Sequence, residues 1–217
     1  MPGSLMPLRS PRSRAAVGAA GGLLVVVALG LLVRLRVIQE EIDLEWMEEI
    51  VEHRAPVWEV PSRLFDFIGG GWFAIWVLPL AVAVVFLVAR RPWAALTFIL
   101  TSAVSAGLVQ LLKVAFGRPR PEEILLQLDS GAYPSGHVAN AATVAALLTL
   151  LLARWGIAVA GAVYVVLMAL SRTYLGAHWV TDTIGGALVG VAVALGMWAV
   201  FAPRLRRELE RPSPRSS

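Results

Sequence analysis

The 217-residue chain has no cysteine and a single lysine, Lys113. The first absence excludes disulfides, thiolate metal sites and cysteine nucleophiles. The second means that the net charge of +4 rests almost wholly on arginine. Charge of either sign is scarce: 16% of residues are charged, against about 25% in an ordinary soluble domain. Its place is taken by apolar residues, 58% of the chain, where a soluble domain has roughly 45–50%. These residues stand in long blocks, and a bilayer core roughly 30 Å thick needs about 20 apolar residues per helix. Several blocks reach that length, so the sequence reads as a membrane protein. The arginines flank apolar blocks, which is the positive-inside pattern rather than a nucleic-acid surface.

Residues 1–14 carry Arg9, Arg12 and Arg14 among prolines and serines. They read as a disordered basic cytoplasmic tail. The apolar run Ala15 to Val33 follows. A basic start before an apolar run also opens secretory signals. Here the run is long, no small-x-small site follows, and Arg34 and Arg36 come instead. A retained first transmembrane helix is expected. Residues 39–71 differ in character, with nine acids and with Ile42, Trp46 and Ile50 at helical spacing. That predicts an amphipathic helix lying at the membrane surface, acting mainly as a connector between spans.

Further spans are predicted over Trp72–Ala89, Trp93–Leu112, Val138–Ala153, Ile157–Leu170 and Trp179–Phe201. The fold class is thus all-α, a polytopic bundle of about six transmembrane helices in one domain over 15–202. A basic cytoplasmic tail follows over 203–217. Arg90, Arg91, Arg154, Arg204, Arg206 and Arg207 fall on the side of the N-terminal arginines, which puts both termini in the cytoplasm. The acidic segment and residues 113–137 and 171–178 then face outside. Trp72, Trp76, Trp93, Trp179 and Trp198 fit an aromatic belt or lipid-facing packing, Trp179 being also near enough to His178 to touch a lipid tail.

The outer segments concentrate ionisable residues that a bilayer chain does not otherwise tolerate. They read Lys113-Val-Ala-Phe-Gly-Arg118-Pro119-Arg120-Pro121, then Pro134-Ser135-Gly136-His137, then Ser171-Arg172 through His178 to Asp182. Lys113, Arg120 and Arg172 are fixed cations, and arginine's planar fork suits phosphate oxygens. Ser135 and Gly136 sit where a helix begins, so backbone N–H groups are free to meet an anion. His178 and Asp182 are four apart, on one helical face. A carboxylate on one ring nitrogen sets the tautomer and aims the other outward, the arrangement of an oriented nucleophile. His137 is left as a proton donor to a leaving oxygen. His53, in the acidic segment, reads as a plain surface residue.

These segments resemble the three signature motifs of the type 2 phosphatidic acid phosphatase family: Lys-x6-Arg-Pro, Pro-Ser-Gly-His, and Ser-Arg-x5-His-x3-Asp. Lys113 with Arg120-Pro121 fits the first, residues 134–137 the second, and Ser171, Arg172, His178 and Asp182 the third. The spacing from Lys113 selects Arg120 and leaves Arg118 outside the signature. The resemblance implies a membrane lipid phosphatase in which His178 forms a phosphohistidine, Asp182 holds His178, and His137 serves the leaving group and then water. Lys113, Arg120, Ser135, Gly136 and Arg172 would bind the phosphate, with no metal and no cofactor. The implied partner is a lipid phosphate or diphosphate in the bilayer, namely a polyprenyl diphosphate, phosphatidylglycerol phosphate or phosphatidic acid, and not a nucleic acid. A lipid phosphotransferase using the same site, haloperoxidase chemistry on its oxyanion site, and a non-catalytic lipid transporter are the competing readings.

Overall fold

The computed structural model describes residues 10–37, 39–128 and 130–210. The outer parts of the two expected tails, residues 1–9 and 211–217, lie outside the described residues. Among the described residues, eight α-helices form the fold, 81% of residues are helical and there are no strands. They are α1 (Pro11–Arg34), α2 (Leu44–Glu52), α3 (Glu59–Gly69), α4 (Leu78–Val88), α5 (Pro92–Phe116), α6 (Gly136–Leu152), α7 (Trp155–Tyr174) and α8 (Val180–Leu209). Helices α1, α5, α7 and α8 are each long and apolar enough to cross a membrane. The segment through α3 and α4 makes a fifth if its 48° bend is one broken span. The remaining expected span, Val138–Ala153, corresponds to α6, which is apolar but only 17 residues long. Large apolar side chains face outward, Leu24 on α1, Val88 on α4 and Val163 on α7 among them. In water that surface would drive aggregation, whereas in a bilayer it is the solvated face.

Two ends differ from the boundaries that composition suggested. The first helix takes in residues 11–14, because Pro11 sits at its first position and the Ser10 side chain accepts from Ser13 N–H at 3.2 Å. The last helix runs through Pro203 to Leu209. Glu208 is the reason: its carboxylate accepts from the backbone N–H groups of Trp93 at 2.6 Å and Ala94 at 3.2 Å. Those are orphan donors at the start of α5, so the basic C-terminal stretch is tied to the bundle through its one described buried acid.

The acidic segment also differs from the expected single helix. Ala55 is extended before Pro56, which stops α2 and starts the turn into α3. The buried positions on the first piece are Asp43 and Met47, while Ile42 is exposed. Met47 packs on Ala132 and Trp179, so this piece lies against the loops that carry the motifs.

Helix α8 is central and packs on α1, α5 and α6. Its approach to α6 depends on glycine. A Cβ at Gly186 would strike the Ser135 carbonyl, and one at Gly190 would meet the Ala142 Cβ at 2.7 Å. Small residues let membrane helices pack backbone to backbone where no hydrophobic force drives them together. This contact positions the motif turn, because Ser135 N–H donates to the Asp182 carbonyl at 2.9 Å. Polar ties complete the bundle: Ser105 and Thr143 join α5 to α6 at 2.8 Å, and the Tyr133 hydroxyl donates to the Val26 carbonyl on α1 at 2.7 Å.

Candidate active site

The three motifs, spread over 70 residues of sequence, meet at one end of the bundle. Helix α5 delivers Lys113 in its last turn and stops at Gly117, whose left-handed backbone (φ 56°) returns its N–H to the Lys113 carbonyl. The loop that follows carries Arg120. Helix α6 starts at Gly136 with Ser135 before it, α7 ends with Arg172 in its last turn, and His178 lies in the short connection to α8. A cavity of about 340 Å³ opens among them, and Lys113, Arg120, Gly136, His137, Arg172 and His178 all line it. It continues away from the charged end between Ala74–Leu80 and α5, as far as Ile99. Ser135 and Asp182 stand behind this lining, both fully buried.

Like Arg172, His178 is buried. Arg120 Nη1 lies 3.4 Å from its Nε2, and Arg120 is held in place by Ser130 O at 3.0 Å and by the Ala177 carbonyl. On the other side of the ring Nδ1 stands 3.5 Å from Asp182 Oδ2, too far for a closed hydrogen bond. Burial and then the cations Arg172, Lys113 and Arg120 push His178 well below the ordinary imidazole range. The imidazole is therefore neutral, with a lone pair available.

The Asp182 carboxylate does more than face His178. Its Oδ2 accepts from Trp179 N–H at 2.9 Å, which caps α8. Its Oδ1 accepts from Arg118 Nη1 at 2.5 Å. Arg118, the arginine that motif spacing set aside, is itself buried and bridges on to Asp43 Oδ2 at 2.5 Å. Asp43 also accepts from Thr181, at 2.9 Å from its N–H and 2.6 Å from its hydroxyl. An Asp43–Arg118–Asp182 chain thus stands behind His178 and fixes the first turn of α8. Trp179 belongs to this wall rather than to the lipid surface: its Nε1 donates to Pro119 O at 3.0 Å and Arg118 lies 5.5 Å over its ring.

His137 and Arg172 meet a third acid, Asp66 on α3. Arg172 Nη1 donates to Asp66 Oδ1 at 2.5 Å, and His137 Nε2 stands 3.1 Å from the same oxygen. The sequence reading missed Arg118, Asp43 and Asp66. The available signal was the acids themselves, since Asp43 and Asp66 lie in a segment whose other seven acids are Glu. His53 is exposed, 3.2 Å from Glu49 on its own helix.

Several donor or acceptor atoms at or just behind the cavity wall are left over. Arg172 Nε and Nη2, Ser135 Oγ and His178 Nδ1 at the charged end, and Ser102 Oγ and Asn140 Nδ2 farther along, are buried with no hydrogen-bond partner among the described residues. Buried polar atoms are normally satisfied, so a cluster of unpaired donors beside cations marks a place for an anion.

Known proteins resemble this chain in sequence and in fold. The sequence model of the PAP2 superfamily matches residues 94–206. Phosphatidylglycerophosphatase B of Bacillus subtilis (strain 168) is 32% identical over 112 residues, which is 47% of this chain and 55% of that protein. Undecaprenyl-diphosphatase of Sulfolobus acidocaldarius is 31% identical over 121 residues, 54% of this chain and 58% of that one. Lipid A 1-phosphatase of Porphyromonas gingivalis is 36% identical over 102 residues, 44% of this chain and 21% of that one. The chain thus spans well under two thirds of the length of each of these relatives. Among solved structures, a transmembrane PAP2 type phosphatidylglycerolphosphate phosphatase from Bacillus subtilis superposes with a TM-score of 0.75 at 24% identity, covering 86% of this chain and 96% of that one, a likeness of fold. Aquifex aeolicus LpxE superposes with a TM-score of 0.63 at 26% identity, over 74% of this chain and 97% of that one. Since the family match takes in more than half of the chain and every motif position within it is filled, this multi-pass membrane protein belongs to the PAP2 superfamily.

Proposed function

We propose that the chain is a membrane lipid phosphatase that hydrolyses a phosphomonoester or diphosphate of a lipid through a phosphohistidine at His178. The observation that carries this reading is the set of unpaired buried donors on Arg172, which lines the charged end of an apolar cavity beside Lys113 and Arg120, and on Ser135 directly behind that lining. A phosphoryl group fills that set, and the apolar continuation toward Ile99 takes the start of a lipid chain. The relatives' names point the same way, to phosphatidylglycerophosphate, lipid A and undecaprenyl diphosphate.

The roles follow from placement. Lys113, Arg120 and Arg172 neutralise the equatorial oxygens, where charge stabilisation does most of the catalytic work in phosphoryl transfer. Ser135 Oγ and the backbone at Gly136 add uncharged donors at the start of α6. Neutral His178 attacks phosphorus through Nε2, Asp182 steadies the resulting positive ring, and His137 gives its proton to the departing oxygen. Water then attacks phosphorus as the phosphorus–nitrogen bond breaks, gives its proton to His137, and frees phosphate and His178. In this reading no metal takes part.

Positive-inside flanking gives the orientation. Helix α5 starts after Arg91 and carries Lys113 in its last turn, so the basic connections lie at the end opposite the site, where Arg91 Nη2 reaches Leu151 O in the last turn of α6 at 3.2 Å. We place that end and both termini in the cytoplasm, with the site facing outside.

The test is phosphate release in detergent from phosphatidic acid, phosphatidylglycerol phosphate and a polyprenyl diphosphate, by the native protein and by His178→Ala. Release by the native protein that His178→Ala abolishes supports the reading. Equal release by the two contradicts it.

A further inference from the structure

Asp66 lies in none of the three motifs. It sits in the last turn of α3, 71 residues before His137 and 106 before Arg172. Its half-buried carboxylate nevertheless touches both of them. The His137 Nε2 atom stands 3.1 Å from Asp66 Oδ1 and 3.1 Å from the Asp66 backbone oxygen. Both partners are pure acceptors, so this nitrogen carries a hydrogen. The ring is also held from the side. The backbone at Gly69 and Gly70 passes so close that a Cβ at Gly70 would strike Nε2 and Cε1, and a Cβ at Gly69 would lie 3.2 Å from Cδ2. Two glycines in succession admit that approach.

With Nε2–H committed to Asp66, the transferable proton of a His137 imidazolium is the one on Nδ1. The surroundings otherwise oppose that second proton. Arg172 on α7, Lys113 on α5, Arg120 in the loop and His178 before α8 share the cavity with the ring, and Asp66 is the carboxylate that meets it among the described residues. His178 and His137 therefore face opposite demands from one pool of cations. One must stay neutral to attack, and the other must carry a proton to give.

We infer that Asp66 is a positioning residue for the leaving-group step, fixing His137 by its Nε2 so that Nδ1 delivers the proton. This rests on the phosphatase reading above. As His178 Nε2 forms its bond to phosphorus, the phosphorus–oxygen bond to the lipid breaks and its electron pair stays on that oxygen. The Nδ1 proton of His137 moves onto the oxygen and the lipid alcohol departs. His137 is then neutral, its Nε2–H still on Asp66. When water attacks phosphorus, its proton passes to Nδ1, the phosphorus–nitrogen bond breaks, and both histidines return to their starting states.

The experiment uses one lipid with two leaving atoms: short-chain phosphatidic acid, and its analogue with sulfur replacing the bridging oxygen. A thiolate leaves without a proton, whereas an alkoxide does not. In Asp66→Asn the ratio of oxygen-ester to sulfur-ester turnover should fall about 10- to 100-fold relative to the native protein, less than the roughly 10²- to 10⁴-fold that loss of the general acid itself would cost. Asp66→Glu should recover part of that ratio. If both esters slow by one common factor, Asp66 is only an anchor for Arg172 and the inference fails. If Asp66→Asn cleaves neither ester, Asp66 serves binding or folding and the inference fails in that way too. A native protein that releases phosphate from neither overturns the phosphatase reading itself, and this one with it.

Discussion

The two histidines of the site each face an aspartate, yet the pairs are built in opposite ways. Asp182 follows His178 by four residues, is wholly buried, and is locked by Arg118 and the Trp179 N–H before it ever meets the ring, from which it stands 3.5 Å away. Asp66 reaches His137 from a separate helix, is half-buried, and closes to 3.1 Å while also holding Arg172. The first pair sits on a rigid support and has slack at the histidine. The second is tight at the histidine and mounted on a short, glycine-ended helix. A nucleophile is served by the first arrangement, because its line of attack is fixed from behind. A proton donor is served by the second, because its acid partner is in direct contact.

The sharpest break in this comparison is Asp182→Asn. Turnover should fall on the order of 10³-fold or more while the protein still folds, as when the orienting acid of a nucleophile–base set is neutralised. Phosphate release with circular dichroism on the same sample checks it. Unchanged turnover would mean that Asp182 merely caps α8. Next comes Arg118→Met, which leaves Asp43 and Asp182 buried without their shared cation. Removing one partner of a buried pair costs about 3–5 kcal/mol, so thermal unfolding in detergent should drop sharply. An unaltered melting temperature would show the ion chain to be dispensable. Glu208→Ala, at the far end, removes the carboxylate that caps α5 and should cost about 1 kcal/mol. It should leave turnover intact, and a fall in turnover would show that the two ends of the bundle are coupled.

A milder test concerns protonation. In the proposed reaction His178 attacks only when neutral, and burial with three cations holds it below the ordinary imidazole range. It is thus neutral at pH 7 and becomes protonated only as pH falls through that depressed value. The acid limb of kcat/KM, which reports the free enzyme, should accordingly lie below the ordinary imidazole range. A limb within that range would show that the site is wetter or less positive than the geometry implies.

The contrast between the two pairs also explains what the sequence made legible. His178 with Asp182, and Lys113 with Arg120, are encoded by spacing along one helix end or one short loop, so their proximity follows from local geometry. The helices themselves were readable from apolar length, because a bilayer imposes a minimum. Asp66 and Asp43 were not, since a contact across 71 or 138 residues depends on how α2 and α3 fold back over the loops. The periodicity of Ile42, Trp46 and Ile50 pointed to a different face from the one that Asp43 and Met47 bury. Arg118 was readable as a cation but not as a partner of Asp182, because that requires the loop to turn at Gly117 and tuck beneath Trp179. The role of glycines 186 and 190 depends in the same way on α6 lying against them.

The central claim is that His178 carries the phosphoryl group. It is tested most directly by quenching the protein during turnover of a radiolabelled lipid phosphate and assaying the protein for acid-labile, base-stable phosphate. The account predicts such label on the native chain and on Asp66→Asn. It predicts none on His178→Ala, whose turnover should fall by about 10⁵-fold or more, as for loss of a nucleophile. Undiminished phosphate release by His178→Ala, or label that survives this substitution, would contradict it.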